Sequence, residues 1–180
     1  NASAQGSGSA ALGANSHADA DHALAVGEEA LAVGEGALAV GHRATALGEN
    51  AIAQGSGAVA TAQSAIALGD GSTAEGPGAM ALGSLSSSRG HGSVAVGGLA
   101  EANGNSSVAL GTQSSAEGPA AIAVGANSLS TGDFAMALGV ASSAAGDGSI
   151  GLGMATTAAG FRSIAAGYLA AAYGDGAMAI

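Results

Sequence analysis

Small and bulky apolar residues alternate in this chain over stretches of five, and the stretches recur at a fixed interval. Ala23-Leu24-Ala25-Val26-Gly27 reads small, bulky, small, bulky, glycine. The same reading returns every 14 residues, at Ala37, Ala51, Ala65, Ala79, Ser93, Ser107, Ala121, Ala135, Ser149, Ser163 and Ala177. One step back stands Ser9-Ala10-Ala11-Leu12-Gly13. The fifth position is Gly in all twelve complete copies, and the third is Ala in twelve of thirteen. A second five-residue segment runs seven residues out of phase, as in Ser72-Thr73-Ala74-Glu75-Gly76 and Ser114-Ser115-Ala116-Glu117-Gly118. It ends in Gly in eleven of thirteen copies, Ala20 and Ala62 being the exceptions. Connectors such as Asp70-Gly71, Pro77-Gly78 and Asp147-Gly148 separate the segments and are turn dipeptides. Alternation with a period of two is a strand pattern, so each 14-residue unit reads strand, turn, strand, turn.

A repeat this regular predicts an all-β fold, a parallel β-roll or β-solenoid with one coil per repeat and like segments stacked into sheets. About thirteen coils fill residues 1–180. At roughly 4.8 Å per coil they would stack into a rod about 60 Å long. Successive strand residues point to opposite faces, which gives every position a side. A coil of two short strands encloses almost no space, so the small residues belong inside. Ala25, Ala39, Ala67, Ala81, Ala95, Ala109, Ala123 and Ala137 are the expected lumen residues of the first segment. A stripe of bulky residues is then left pointing outward from the first sheet. It comprises Leu24, Val26, Leu38, Val40, Ile66, Leu68, Met80, Leu82, Val94, Val96, Val108, Leu110, Ile122, Val124, Met136, Leu138, Ile150 and Leu152. A continuous apolar stripe is not tolerated on a soluble monomer, and burying each such side chain is worth roughly 1.5–3 kcal/mol. The stripe therefore calls for another copy of the chain. Cyclic symmetry about an axis along the rod keeps equivalent coils level and closes the assembly. The pattern leaves two copies or three open.

Composition narrows the class further. Apolar residues make up 48% and mean hydropathy is +0.39, the wrong direction for a disordered glycine-rich chain. Only 9% of residues are charged and 2% aromatic, against about 25% charged in an ordinary globular domain. Net charge is −10 with three basic residues, so neither nucleic acid nor an anionic membrane is an expected partner. With no cysteine there are no disulfides and no thiolate metal sites. Neither an 18-residue apolar run nor a signal peptide occurs. Collagen is excluded, because Gly recurs every seven residues and not every three.

Candidate chemistry is sparse. His17, His22, His42 and His91 fall on an outward position or on connectors of different coils and are read as solvated surface residues. Serine is too frequent for any Ser-His-acid arrangement to be read from it. No catalytic residue, cofactor or metal is expected. Residues 14 apart stack, which pairs Glu29 with Arg43, Glu75 with Arg89 and Glu28 with His42. Asp21, Glu35 and Glu49 share a connector column, as do Asp133 and Asp147. Their oxygens suit Ca²⁺, but the nonapeptide that binds it in other β-rolls is absent, and solvated turn acids are the preferred reading. The second segment points mostly polar residues outward, except at Leu31, Val33, Leu47 and Val59. These four are a candidate adhesive patch or a packing surface for a neighbouring domain. Phe134, Phe161, Tyr168 and Tyr173 all lie in the last third, where they would cap the rod or meet the next domain. An ice-binding array would need regular Thr columns, and Thr45, Thr61, Thr73, Thr131 and Thr157 are mixed with Glu, Asn, Arg and Leu.

Ser93-Val94-Ala95-Val96-Gly97, Ser107-Val108-Ala109-Leu110-Gly111 and Ala121-Ile122-Ala123-Val124-Gly125 resemble the head repeats of YadA-like trimeric autotransporter adhesins of Gram-negative bacteria. The resemblance extends over essentially the whole chain. It implies a left-handed β-roll in a homotrimer with the first segments at its core, and a non-enzymatic adhesive head domain spanning 1–180. Its implied partners are host cell surfaces or extracellular matrix proteins, and its implied place is the bacterial surface. Such heads are held there by a stalk and an outer-membrane anchor, neither of which occurs here. The chain begins and ends within a repeat and reads as part of a longer protein. A passive spacer rod presenting some other binding domain is the alternative reading.

Overall fold

The computed structural model describes all 180 residues, and every regular element in it is a β-strand. The strands are two or three residues long, as a 14-residue coil with two turns demands. They belong to two compact units, Asn1–Gly92 and Ser93–Ile180. In the first unit the first-segment strands, Ala10–Leu12 through Met80–Leu82, form one parallel sheet. The second-segment strands, Ser3–Ala4 through Ser87–Ser88, form the other. The second unit repeats the plan, with Val94–Val96 through Met178–Ala179 in one sheet and Glu101–Ala102 through Ala171–Ala172 in the other. Each is thus a parallel β-solenoid. No helix in the chain is long and apolar enough to cross a membrane.

Register follows the repeat without a slip. Leu24, Ala25 and Val26 pair with Leu38, Ala39 and Val40, and Ile122, Ala123 and Val124 with Met136, Ala137 and Leu138. The ladder bonds are short, for example Leu24 N–H to the Ala37 carbonyl at 2.9 Å and Gly27 N–H to the Leu12 carbonyl at 2.8 Å. The connectors join the ladder too, as when His22 N–H donates to the Ser7 carbonyl at 2.9 Å. Backbone groups that loops normally leave to water are therefore paired coil to coil.

The turns explain the connector sequences. Ala30 N–H reaches back to the Gly27 carbonyl at 3.3 Å, closing a four-residue turn around Glu28 and Glu29. The second connector residue has positive φ at every seventh position, and Glu29 stands at 56°. Positive φ at the third residue of the turn, with the second residue normal, is the type II pattern. Pro77 and Pro119 both occupy the second residue, the place where the fixed φ of proline fits. Seventeen of the positive-φ connector residues are not glycine, and none of these is β-branched, the class that tolerates this region least.

The core is the lumen between the sheets, and it is made of alanine. Ala25, Ala39, Ala67, Ala81, Ala95, Ala109, Ala123 and Ala137 are all 0% exposed. The first residue of every segment from Ser16 to Ser163 is buried as well, as at Ala23, Ala30 and Ser114. Ser16, Ser72, Ser86, Ser114, Ser128 and Ser142 each donate a hydroxyl to the glycine carbonyl three residues back, at 2.8–3.0 Å. A buried hydroxyl left unpaired costs about 1–3 kcal/mol, and this local bond spares these six serines that cost, whereas the buried hydroxyls of Ser107, Ser149 and Ser163 have no partner.

Candidate functional surfaces

Two sheet faces and two turn edges remain once the lumen is filled. The first is the outward face of the first-segment sheet. Its columns are set by the register, so that Leu24 stands over Leu38 and Val96 over Leu110. Leu24, Leu110 and Leu152 are exposed, and Val26, Leu38, Val40, Ile66, Leu68, Met80, Leu82, Val94, Val96, Val108, Ile122, Val124, Met136, Leu138 and Ile150 are half-buried by their neighbours in the column. The same columns hold Ile52, Ile164, Leu12 and Met178, which reading individual motifs passed over although the 14-residue step reaches all four. They also hold Gln54, an exposed polar residue between Val40 and Leu68.

The outward face of the second-segment sheet is mostly polar, with an apolar cluster in the first unit and a single exposed leucine, Leu129, in the second. Leu31, Thr45 and Val59 stand in one column by register. Val33 and Leu47 continue those strands outward on the next column, 40% and 41% exposed. The four apolar residues therefore lie together on one side of the first unit, with Thr45 among them. In the second unit Leu99, Glu101, Gln113, Ser114 and Ser115 line an open depression of about 310 Å³. Ser114 there is tied to the Gly111 carbonyl at 2.9 Å and offers no free hydroxyl.

The edges carry the charge. Glu29 and Arg43 form an ion pair at 2.6 Å, and Glu75 and Arg89 one at 3.6 Å, both open to solvent. The hydrogen bond and charge of Arg43 hold the Glu29 carboxyl below its ordinary range and raise Arg43 in turn. Glu28 and His42 share a column in the same way but form no ion pair, since a shared column brings the backbones close without dictating rotamers. The acidic connector column has a structural use. Asp21 accepts the Ser7 N–H at 2.7 Å, Asp147 the Asp133 N–H at 3.0 Å and Asp175 the Phe161 N–H at 3.0 Å. Each carboxylate caps a turn N–H of the coil before it. No three His, Asp or Glu side chains converge as metal ligands would. His17, His22, His42 and His91 are exposed and dispersed. Phe134, Phe161, Tyr168 and Tyr173 are exposed as well, the first three on turns.

Comparison with known proteins places this geometry. The family model described as the YadA head domain repeat, in two copies, matches residues 4–30, 25–48, 32–58, 46–72, 60–86, 74–100, 88–114, 102–128, 130–154 and 158–180. The chain belongs to the YadA head family. The matched windows from residue 32 to residue 102 start 14 residues apart, in step with the repeat. Among solved structures, the collagen-binding domain of the Yersinia adhesin YadA is similar, with a TM-score of 0.52 and 25% sequence identity. The similarity covers 84% of this chain and 69% of that one. A comparison with curated proteins returns no match. YadA head repeats are a structural, non-enzymatic kind of fold.

Proposed function

We propose that this chain is the adhesive head of a trimeric autotransporter adhesin, displayed on a bacterial surface and binding host cells or extracellular matrix. The observation that carries this reading is the tiling of YadA head repeats along nearly the whole chain, over a sheet whose outward face is an apolar stripe. Three copies with their first-segment sheets turned inward would cover that stripe, and each bulky residue buried would contribute roughly 1.5–3 kcal/mol. The number three comes from the family. The polar second-segment sheet would then face outward, with Leu31, Val33, Leu47 and Val59 as its adhesive patch. Attachment to the outer membrane would be supplied by other parts of the protein, and no cofactor or metal takes part.

The similar Yersinia domain is a collagen-binding one, so collagen is the first ligand to try. Purified chain should sediment at about three times 16.3 kDa and be retained on immobilised collagen or another matrix protein. Replacing Leu31 and Leu47 with Ser should weaken that retention without changing the sedimentation. A trimer retained on no matrix protein and no host cell would favour a spacer rod, and a stable monomer would sink the assembly itself.

A further inference from the structure

Both turn edges of the second unit change character in the same coils. The connectors that precede first-segment strands carry Phe134 and, two coils on, Phe161. The connectors that follow those two strands carry Val140, Tyr168 and Leu169, and the one after the intervening strand Ile150–Leu152 carries Met154. All six are exposed, from 47% for Phe161 to 71% for Phe134. In the earlier coils of the unit these edges carry Asn105, Ser106, Thr112 and Gln113 instead, with Leu99 standing singly. Phe134 and Val140 flank the strand Met136–Leu138, and Phe161 and Tyr168 flank Ile164–Ala166. They stand at opposite ends of their strands, so the coincidence is not local packing within one copy.

Cyclic assembly gives a reason for it. Flat sheets placed around an axis meet at their edges. The edge that follows a strand in one copy then abuts the edge that precedes the same strand in the next, at equal height. The geometry points to an intersubunit seam in which Phe134 of one copy packs on Val140 of its neighbour, and Phe161 on Tyr168 and Leu169. This inference rests on the trimer proposed above and names the residues that join its corners. Two of the three acids on this edge are turned back from the seam, and the third, Asp133, is exposed beside Phe134. The Asp147 and Asp175 carboxylates are folded back onto turn N–H groups, at 3.0 Å each. Arg162 lies over the Phe161 ring, 4.7 Å from its centre, so its charge is carried on an aromatic face. In the coil where Phe161 and Tyr168 appear, the inward stripe thins to Ala166 where the coil before has Leu152. Bulk is lost from the face and gained at the corners.

The three aromatic side chains alone offer roughly 450–750 Å² per junction. That falls short of the 1,200–2,000 Å² or so of a stable interface, so the seam supplements the apolar stripe and does not replace it. The expected occupant is therefore a second copy already held by the stripe.

The chain has no cysteine, which makes pairwise cross-linking unambiguous. Two double variants, Phe161→Cys with Leu169→Cys and Phe134→Cys with Val140→Cys, would be treated with a short bismaleimide and sized under denaturing conditions. Untreated samples of each would be sedimented in parallel. The seam predicts ladders reaching three covalently joined chains in both double variants, and none in the four single variants. Trimers by sedimentation that give no ladder would overturn the seam and leave the trimer standing. Ladders of equal strength in the single variants would also overturn it, because like edges would then be meeting. Sedimentation of the unsubstituted chain as a monomer would overturn both proposals.

Discussion

Thr156 is the largest fully buried side chain in the molecule, in a lumen otherwise filled by alanine and serine. Its accommodation is visible across the lumen at Gly151, the one departure from alanine in its column. A Cβ at Gly151 would stand 3.0 Å from the Thr156 Oγ1 and 2.9 Å from the Ser143 carbonyl oxygen. The coil before has the ordinary pair, Ala137 and Ser142, with the serine hydroxyl bonded to Gly139. In Thr156 the hydroxyl turns toward the space Gly151 leaves and has no hydrogen-bond partner. Gly151→Ala alone should therefore overpack the lumen and destabilise by about 1–3 kcal/mol. Adding Thr156→Ser restores the preceding coil's arrangement and should recover the loss. Denaturant melts of the two single variants and the double close this cycle, and simple additivity would show the two sites to be uncoupled. The surface pair Glu29–Arg43 belongs to a smaller scale of effect. Because its folded-state pKa is lowered, Glu29 contributes above the ordinary carboxylate range and loses that contribution as pH falls through the lowered value. The pair is exposed and screened, so at neutral pH Glu29→Gln should shift Tm less than Gly151→Ala.

At the scale of the strand and its turn, two glycines that look alike in the sequence do different things. Gly111, ending a first segment, has φ +138° and would place a Cβ 2.6 Å from the Gly125 carbonyl oxygen. Gly104, ending a second segment, would place a Cβ 2.0 Å from the Gly118 carbonyl oxygen but has no positive φ. The carbonyl of the next coil crowds both positions, and only the first carries in addition a φ that a side chain rarely adopts. The φ accounts for glycine in every complete first segment, while the second segment, without it, holds alanine at Ala20 and Ala62. Gly111→Ala should accordingly lower stability more than Gly104→Ala, by roughly 1–3 kcal/mol of backbone strain. Thermal melts that put the two variants level would refute the distinction. The repeat itself, the faces of its strands and the alanine lumen are legible in the sequence because each column is sampled about thirteen times over. The turn conformation is less so. Leu85, Phe134 and Arg162 sit in the left-handed region against their own preferences, held by ladder bonds such as Arg162 N–H to the Asp147 carbonyl at 2.9 Å. Local propensity does not encode a bond to a neighbouring coil. The same gap hid the N–H capping by Asp21, Asp147 and Asp175, and it made Glu28–His42 look equivalent to Glu29–Arg43.

For the whole molecule, the lumen and the stripe divide the work of stability. A buried alanine methyl is worth about 0.8 kcal/mol, so one chain is held mainly by its ladders and by many small contributions. The larger side chains wait on the outward face of the first-segment sheet, and Gln54 is the residue through which their fate can be read. It stands exposed between Val40 and Leu68 in the apolar column. On a face turned to water, Gln54→Leu would add one more exposed apolar side chain and gain nothing. On a face packed against other copies, the same change buries a leucine and should raise Tm, by up to roughly 1.5–3 kcal/mol of added stability per chain. Val96→Asp, in the equivalent column position of another coil, should act in the opposite sense and dissociate the assembly, while Glu101→Ala on the polar sheet should leave it intact. Sedimentation across a dilution series, alongside the melts, separates a change in assembly from a change within one chain. If Gln54→Leu lowers Tm, or Val96→Asp and Glu101→Ala behave alike, the stripe is not the surface that joins the copies.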